Sequence, residues 1–182
     1  MKQSLLLIWL LLSTHLVAAS QSYAVLDIED GDTLILEVDG QPVRVQLLGI
    51  DAPEDTDNPK LHRDLQRTGL EASQLLELGH RATRHLRGLA PPGTTVSLIG
   101  DITQRDKYGR LPAILMPHDG PSLNTAMVED GYAIPLSAYP LDDTLEKRLV
   151  ELESEAINNR RGLWQDDLAT TMTAWSGGRG TP

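Results

Sequence analysis

The chain has 182 residues, with 16 Lys and Arg against 26 Asp and Glu, and a formal net charge of −10. Phosphate neutralisation drives nonspecific nucleic-acid affinity, so this balance argues against tight, sequence-blind DNA binding. There is no cysteine, which excludes disulfides and lipid attachment at an N-terminal cysteine, and leaves the fold to be held by its core.

Residues 1–19 read as a signal peptide. Lys2 gives a positive start, Leu5 to Leu12 an apolar run, and Val17-Ala18-Ala19 a small-residue exit. The run is shorter than the ~20 residues needed to cross a bilayer, and no later one is long enough. An exported protein is therefore expected, secreted or periplasmic, with no membrane anchor after cleavage. The roughly 160 residues that follow suffice for one core. We read a single domain over 20–167, expected to be a monomer, and a Gly-rich flexible tail over 168–182.

Tyr23 to Ile50 alternates in hydropathy and is punctuated by Asp30-Gly31 and Asp39-Gly40. Asp-Gly between apolar runs signals a tight hairpin. This predicts strands over Ala24–Glu29, Thr33–Val38 and Val43–Ile50. Leu75, Leu78, Ala82, Leu86 and Leu89 recur at three- and four-residue steps, predicting a helix that ends before Pro91-Pro92-Gly93. Two more strands follow over Thr94–Gly100 and Arg110–Met116. Ser122 caps a short helix that stops at Gly131, and another begins at Asp142 or Asp143 and ends near Arg161-Gly162. The expected class is α+β: a closed five-stranded barrel of OB type with three helices, a fold whose faces and loops commonly bind oligonucleotides.

Charge is uneven along the chain. Lys60, Arg63, Arg67, Arg81, Arg84 and Arg87 outnumber Asp64, Glu71 and Glu77, whereas 129–167 is strongly acidic. A basic side on an acidic body and a solvated helix face both fit this pattern.

Three loop segments carry chemistry. Asp32 and Asp51 stand at the ends of neighbouring strands. Their carboxylates and the Ala52 carbonyl could begin the oxygen shell of a hard cation such as Ca2+, which takes ligands at ~2.3–2.6 Å. Glu54, three residues past Asp51, could hold and deprotonate a water as general base. Arg110 starts the fifth strand, and its planar fork suits a pair of phosphoryl oxygens. Each residue alone is equally an ordinary turn or surface ion-pair residue; their combination is what points to phosphodiester hydrolysis.

Asp30-Gly-Asp-Thr33, Leu48-Gly-Ile-Asp-Ala-Pro-Glu54, Asp106-Lys-Tyr-Gly-Arg110, Leu123-Asn-Thr-Ala-Met-Val-Glu-Asp-Gly-Tyr-Ala133 and Arg161-Gly-Leu-Trp164, in that order, resemble the thermonucleases, the staphylococcal-nuclease-like proteins. The resemblance spans about residues 23 to 165. It implies an OB-fold barrel and calcium-dependent cleavage of DNA or RNA. It implies Asp32, Asp51 and Ala52 as metal ligands, Glu54 as base and Arg110 as one of two phosphate-binding arginines. Lys107, Tyr108 and Tyr139 match nucleotide contacts.

The chain departs from the family pattern in three respects. Gln46 stands where the family has its second arginine. An insertion within 55–78 separates Glu54 from the helix, and the family's Gly-x-Glu-Ala start maps onto Gly79-His-Arg-Ala82 or, in an alternative register, Gly69-Leu-Glu-Ala72. The net charge is opposite to that of the basic family archetype. Arg44, two residues from Gln46 and ~6.6 Å away by strand rise, could substitute for the missing arginine. Lys60, Arg63 and Arg67 are expected to flank the mouth of the site. The reading is an exported Ca2+-dependent nuclease, its activity lowered by Gln46. The alternative is a non-catalytic OB-fold module binding nucleic acid or protein.

Overall fold

The computed structural model describes residues 21–136, 141–165 and 167–180. Residues 1–19, read above as a signal peptide, and Tyr139 lie outside the described residues. Five strands close a barrel in the order β1-β2-β3-β6-β5: β1 (Ser22–Ile28), β2 (Thr33–Val38), β3 (Gln41–Leu47), β5 (Thr95–Ile99) and β6 (Leu111–Pro117). A two-stranded pair, β4 (Ile50–Asp51) with β7 (Ile134–Pro135), lies outside it.

The predicted strands are present with small changes of bounds. Asp39 and Gly40 both take positive φ (52° and 73°), as a two-residue hairpin requires, and Val38 pairs with Gln41 across them. The third strand was expected to run on to Ile50. It stops at Leu47, because Gly49 turns the chain with φ 81° and sends Ile50–Asp51 off as a separate strand.

The barrel closes through a parallel pairing of β3 with β6. Parallel strands leave backbone groups unmatched at their ends, and Asn124 fills this gap. Its side chain accepts from Leu115 N (3.0 Å) and donates to Leu48 O (2.9 Å) and Ala113 O (3.1 Å). Asn124 is fully buried with its polar groups satisfied, the condition under which a buried amide is tolerated.

The described residues contain five helices rather than three: α1 (Pro59–Thr68), α2 (Ala72–Leu89), α3 (Leu123–Glu129), α4 (Asp143–Asn158) and α5 (Ala169–Trp175). Helices α2, α3 and α4 are the expected ones; Ser122 caps α3 and Asp142 caps α4. Helix α1 lies within the insertion and α5 within the segment read as a flexible tail. Met172 and Trp175 are buried, in a second apolar cluster with Leu61, Leu75, Leu78 and Trp164. Arg179 pairs with Glu153 at 2.8 Å. Burying one Trp and one Met supplies on the order of several kcal/mol, enough to order a segment of low intrinsic propensity.

Candidate active site

Small residues bring the three loops together. A Cβ on Gly31, between β1 and β2, would lie 2.7 Å from the Ala82 Cβ of α2 and 2.8 Å from the Ala52 Cβ. A Cβ on Gly79 would lie 2.1 Å from the Glu54 carbonyl oxygen. The Asp30–Asp32 loop, the 51–55 segment and α2 therefore meet in backbone-level contact. The close contacts are made by Gly79 and Ala82, inside α2, whereas Gly69 precedes the helix and a Cβ there would meet nothing within 4 Å. Gly79→Ala is expected to destabilise the fold by about 1–3 kcal/mol, the usual cost of overpacking, because the clash is with backbone. A urea melt measures it; an unchanged midpoint would mean that the contact is not this close.

Asp32 is 5% exposed. Its Oδ2 accepts from Ala52 N at 3.0 Å, and its Oδ1 lies 3.0 Å from the Thr33 hydroxyl. Asp32 thus joins the start of β2 to the end of β4. Asp30 Oδ1 accepts from Asp32 N at 3.0 Å. Burial, and then the charge of Asp32, push the Asp30 carboxyl well above its ordinary range.

Arg110 is placed by Asp106. Nε donates to Asp106 Oδ2 at 2.9 Å and Nη1 to the Thr33 hydroxyl at 3.2 Å, with Nη1 4.0 Å from Asp32 Oδ1. Asp106 also accepts from the backbone N–H of Tyr108 (2.8 Å) and Arg110 (2.9 Å). Burial alone would raise its carboxyl, but these bonds to Arg110 and Tyr108 hold it below the usual carboxylate range. Asp106 therefore remains an anion that orients the guanidinium. Sequence reasoning quoted Asp106 in the motif but gave it no role, since an Asp at the head of an Asp-Lys-Tyr-Gly turn reads as turn chemistry.

A cleft of about 530 Å³ gathers Asp32, Gln46, Asp51, Glu54, Lys107, Tyr108 and Arg110. An adjoining hollow of about 440 Å³ adds Glu29, Asp30 and Arg44. Every site residue predicted within the described residues lines one of these two or, like Ala52, joins two that do. The Tyr108 ring has the Lys107 ammonium 5.0 Å and the Arg110 guanidinium 5.3 Å from its centroid. It is half exposed, a surface on which a base could stack.

Gln46 is buried (5%) and points into the cleft, its Oε1 3.4 Å from the Thr33 hydroxyl. Arg44 stands on the rim with its fork engaged by Glu29, and Nη1 is 3.5 Å from the Tyr108 carbonyl.

Helix α1 flanks the cleft, as expected of the insertion, but its three cations part company. Arg67 turns away to Asp64 and the Trp175 carbonyl. Arg63 is exposed on both cleft walls. Lys60 enters the acid cluster, with Nζ 3.2 Å from Asp51 Oδ1, 2.9 Å from Glu54 Oε1 and 3.2 Å from the Ala52 carbonyl. Burial would lower the Lys60 ammonium; the charges of Asp51, Glu54 and Asp32 overcome it and hold the group above its ordinary value. The other Glu54 oxygen accepts from the Asn58 amide.

Among the described residues no three Asp, Glu or His side chains form a metal-binding group by themselves. The donors around Lys60 are two carboxylates and a carbonyl, which is hard-cation chemistry. They fit Ca2+ by type, and they are spaced for hydrogen bonds to an ammonium.

Burial pushes the Asp51 carboxyl up to about 6, against the pull of Lys60. The native state thus binds this proton more tightly than the unfolded chain, whose carboxyl titrates near ~3.9. The resulting stability is full below about pH 4 and is lost as pH rises through about 6. Asn cannot ionise. In chelator, Asp51→Asn should melt a few degrees above wild type at pH 8, at about 2–4 °C per kcal/mol, with the gap closing toward pH 4. A gap constant across that range would contradict the shift.

A family model described as staphylococcal nuclease homologue matches residues 44–166. The chain is 30% identical over 145 residues to Thermonuclease of Staphylococcus intermedius, covering 80% of this chain and 77% of that protein. It is 31% identical over 174 residues to Protein ParB of Escherichia coli, covering 88% and 84%. Endonuclease YhcR of Bacillus subtilis is 25% identical over 143 residues, which span 76% of this chain and 11% of that larger protein. The chain belongs to the staphylococcal nuclease family. Membership suggests a nuclease or nucleic-acid-binding function.

Proposed function

We propose that this chain is an exported Ca2+-dependent nuclease that hydrolyses phosphodiester bonds in DNA or RNA, at a rate limited by Gln46. The observation that carries the reading is the convergence of Asp32, Asp51, Glu54 and Arg110 on one cleft; a module that only binds has no need of that set. Asp32, Asp51 and the Ala52 carbonyl would hold the cation, which when bound supplies positive charge beside the phosphate. Glu54 holds the attacking water and takes its proton as oxygen bonds to phosphorus, while the bond from phosphorus to the leaving ester oxygen breaks and that oxygen takes a proton from solvent. Arg110, aimed by Asp106 and Thr33, donates to phosphoryl oxygens as charge builds on them. Lys107 and Tyr108 contact the nucleotide, and Arg63, exposed on both cleft walls, offers a further cation to the backbone.

The reading is tested by cleavage of single-stranded DNA and RNA with calcium and with chelator. Chelator-sensitive cleavage that is lost in Asp32→Ala/Asp51→Ala supports it. The rival reading, an OB module without catalysis, is favoured by one observation: both Glu54 oxygens are already engaged, by Lys60 and Asn58. Saturable binding of oligonucleotide without cleavage under any condition would decide for the rival.

A further inference from the structure

The Lys60 ammonium sits on two of the oxygens that would serve a cation, Asp51 Oδ1 at 3.2 Å and the Ala52 carbonyl at 3.2 Å, and on the proposed base, Glu54 Oε1 at 2.9 Å. We propose that Lys60 is a built-in competitor for this site, so that Ca2+ and the ammonium exclude one another and calcium affinity is set by the release of Lys60. The inference rests on the calcium reading above.

The exclusion is geometric and electrostatic. Calcium draws oxygens to ~2.3–2.6 Å, which leaves no room between the two shared donors, Asp51 and the Ala52 carbonyl, for a nitrogen at hydrogen-bond distance. A fixed positive charge beside a divalent ion is also repulsive, the more so away from bulk water. The competitor is positioned rather than accidental. Asn58 caps α1 by accepting from Lys60 N and Leu61 N, both at 2.9 Å, and Pro59 fixes its first turn. Lys60 therefore leaves the cap in a set direction, two residues after the side chain that holds Glu54.

A displaced ammonium also has a place to go. Asp64 Oδ2 lies 3.8 Å from Nζ, and the Trp175 ring centroid lies 5.6 Å away. A short swing toward these two exchanges carboxylates for a carboxylate and an aromatic face. The same swing frees the Glu54 oxygen for water, so one movement opens both the cation site and the base.

The test is calorimetric titration with calcium of wild type, Lys60→Met and Lys60→Gln, each checked for folding by circular dichroism. Both variants are expected to bind calcium on the order of tenfold more tightly than wild type, about 1.4 kcal/mol. Equal affinity in folded variants and wild type overturns the inference and leaves the calcium reading standing. Binding by none of the three overturns both. A measurement on wild type alone guards against misfolded variants. Acetylation of lysine amines, read by mass spectrometry, should show Lys60 more reactive when calcium is bound, with Lys107 and Lys147 as internal references. Unchanged Lys60 reactivity under calcium saturation also overturns the inference.

Discussion

Glu54→Gln is expected to lower cleavage by about 10²–10⁴-fold, the range of general-base assistance, while oligonucleotide affinity stays within a few-fold of wild type. Gln is nearly isosteric and can still accept from the Asn58 amide, so the cap of α1 and the cleft wall persist. What it loses is the ability to take a proton. The loss should therefore fall on the chemical step, visible as a drop in single-turnover rate with Kd by anisotropy preserved. Activity within a few-fold of wild type would assign the base elsewhere.

Gln46→Arg carries the opposite expectation: cleavage should rise by about an order of magnitude or more. Gln46 lies opposite Thr33 in the β2–β3 ladder and lines the cleft with Asp32, Asp106 and Arg110. A guanidinium there would meet the anions Asp32, Asp51, Glu54 and Asp106 as well as the cations of the cleft, Arg110 among them. It would add a second donor fork on the oxygens where charge develops, a contribution that can reach ~10³–10⁵ in rate when such a group is supplied to phosphoryl transfer. Arg44 is not free to supply it, since Glu29 engages its fork. A negligible gain combined with an inactive Arg44→Ala would nevertheless return the role to Arg44. Inactivity of both wild type and Gln46→Arg, with metal binding intact, would sink the enzyme reading.

The barrel was legible because alternation and Asp-Gly turns are local signals, and β1, β2, β5 and β6 lie within two residues of their expected bounds. Helix α1 was passed over because only Leu61 of its ten residues is buried, which leaves little periodicity. Its signature was in the caps: Asn58-Pro59 at the start and Gly69 at φ 69° at the end. Helix α5 has no side-chain cap and a Thr-rich sequence. It exists by tertiary packing of Met172 and Trp175, which no local pattern announces. The site divides the same way. Asp32, Asp51, Glu54 and Arg110 were readable as a joint motif on strand ends. The seat of Lys60 was not, because it depends on where the inserted helix docks. The tie between Arg44 and Glu29 was hidden too, since it joins β3 to a residue 15 earlier, just past the end of β1.

Helix α1 is held in place by the far end of the chain. Trp175 Nε1 donates to Asp64 Oδ2 at 3.1 Å, and Arg67 donates to the Trp175 carbonyl at 2.7 Å, across sequence separations of 111 and 108 residues. Closing so long a loop carries an entropy cost that grows as about (3/2)RT ln n, and such contacts form after the local ones. The barrel's hairpins can assemble as soon as they are synthesised, whereas the wall that carries Lys60 and the Asn58 cap must await α5. In refolding from denaturant, barrel order should therefore precede burial of Trp175. On that order of events, the scaffold is expected to be built while the acid cluster still stands open.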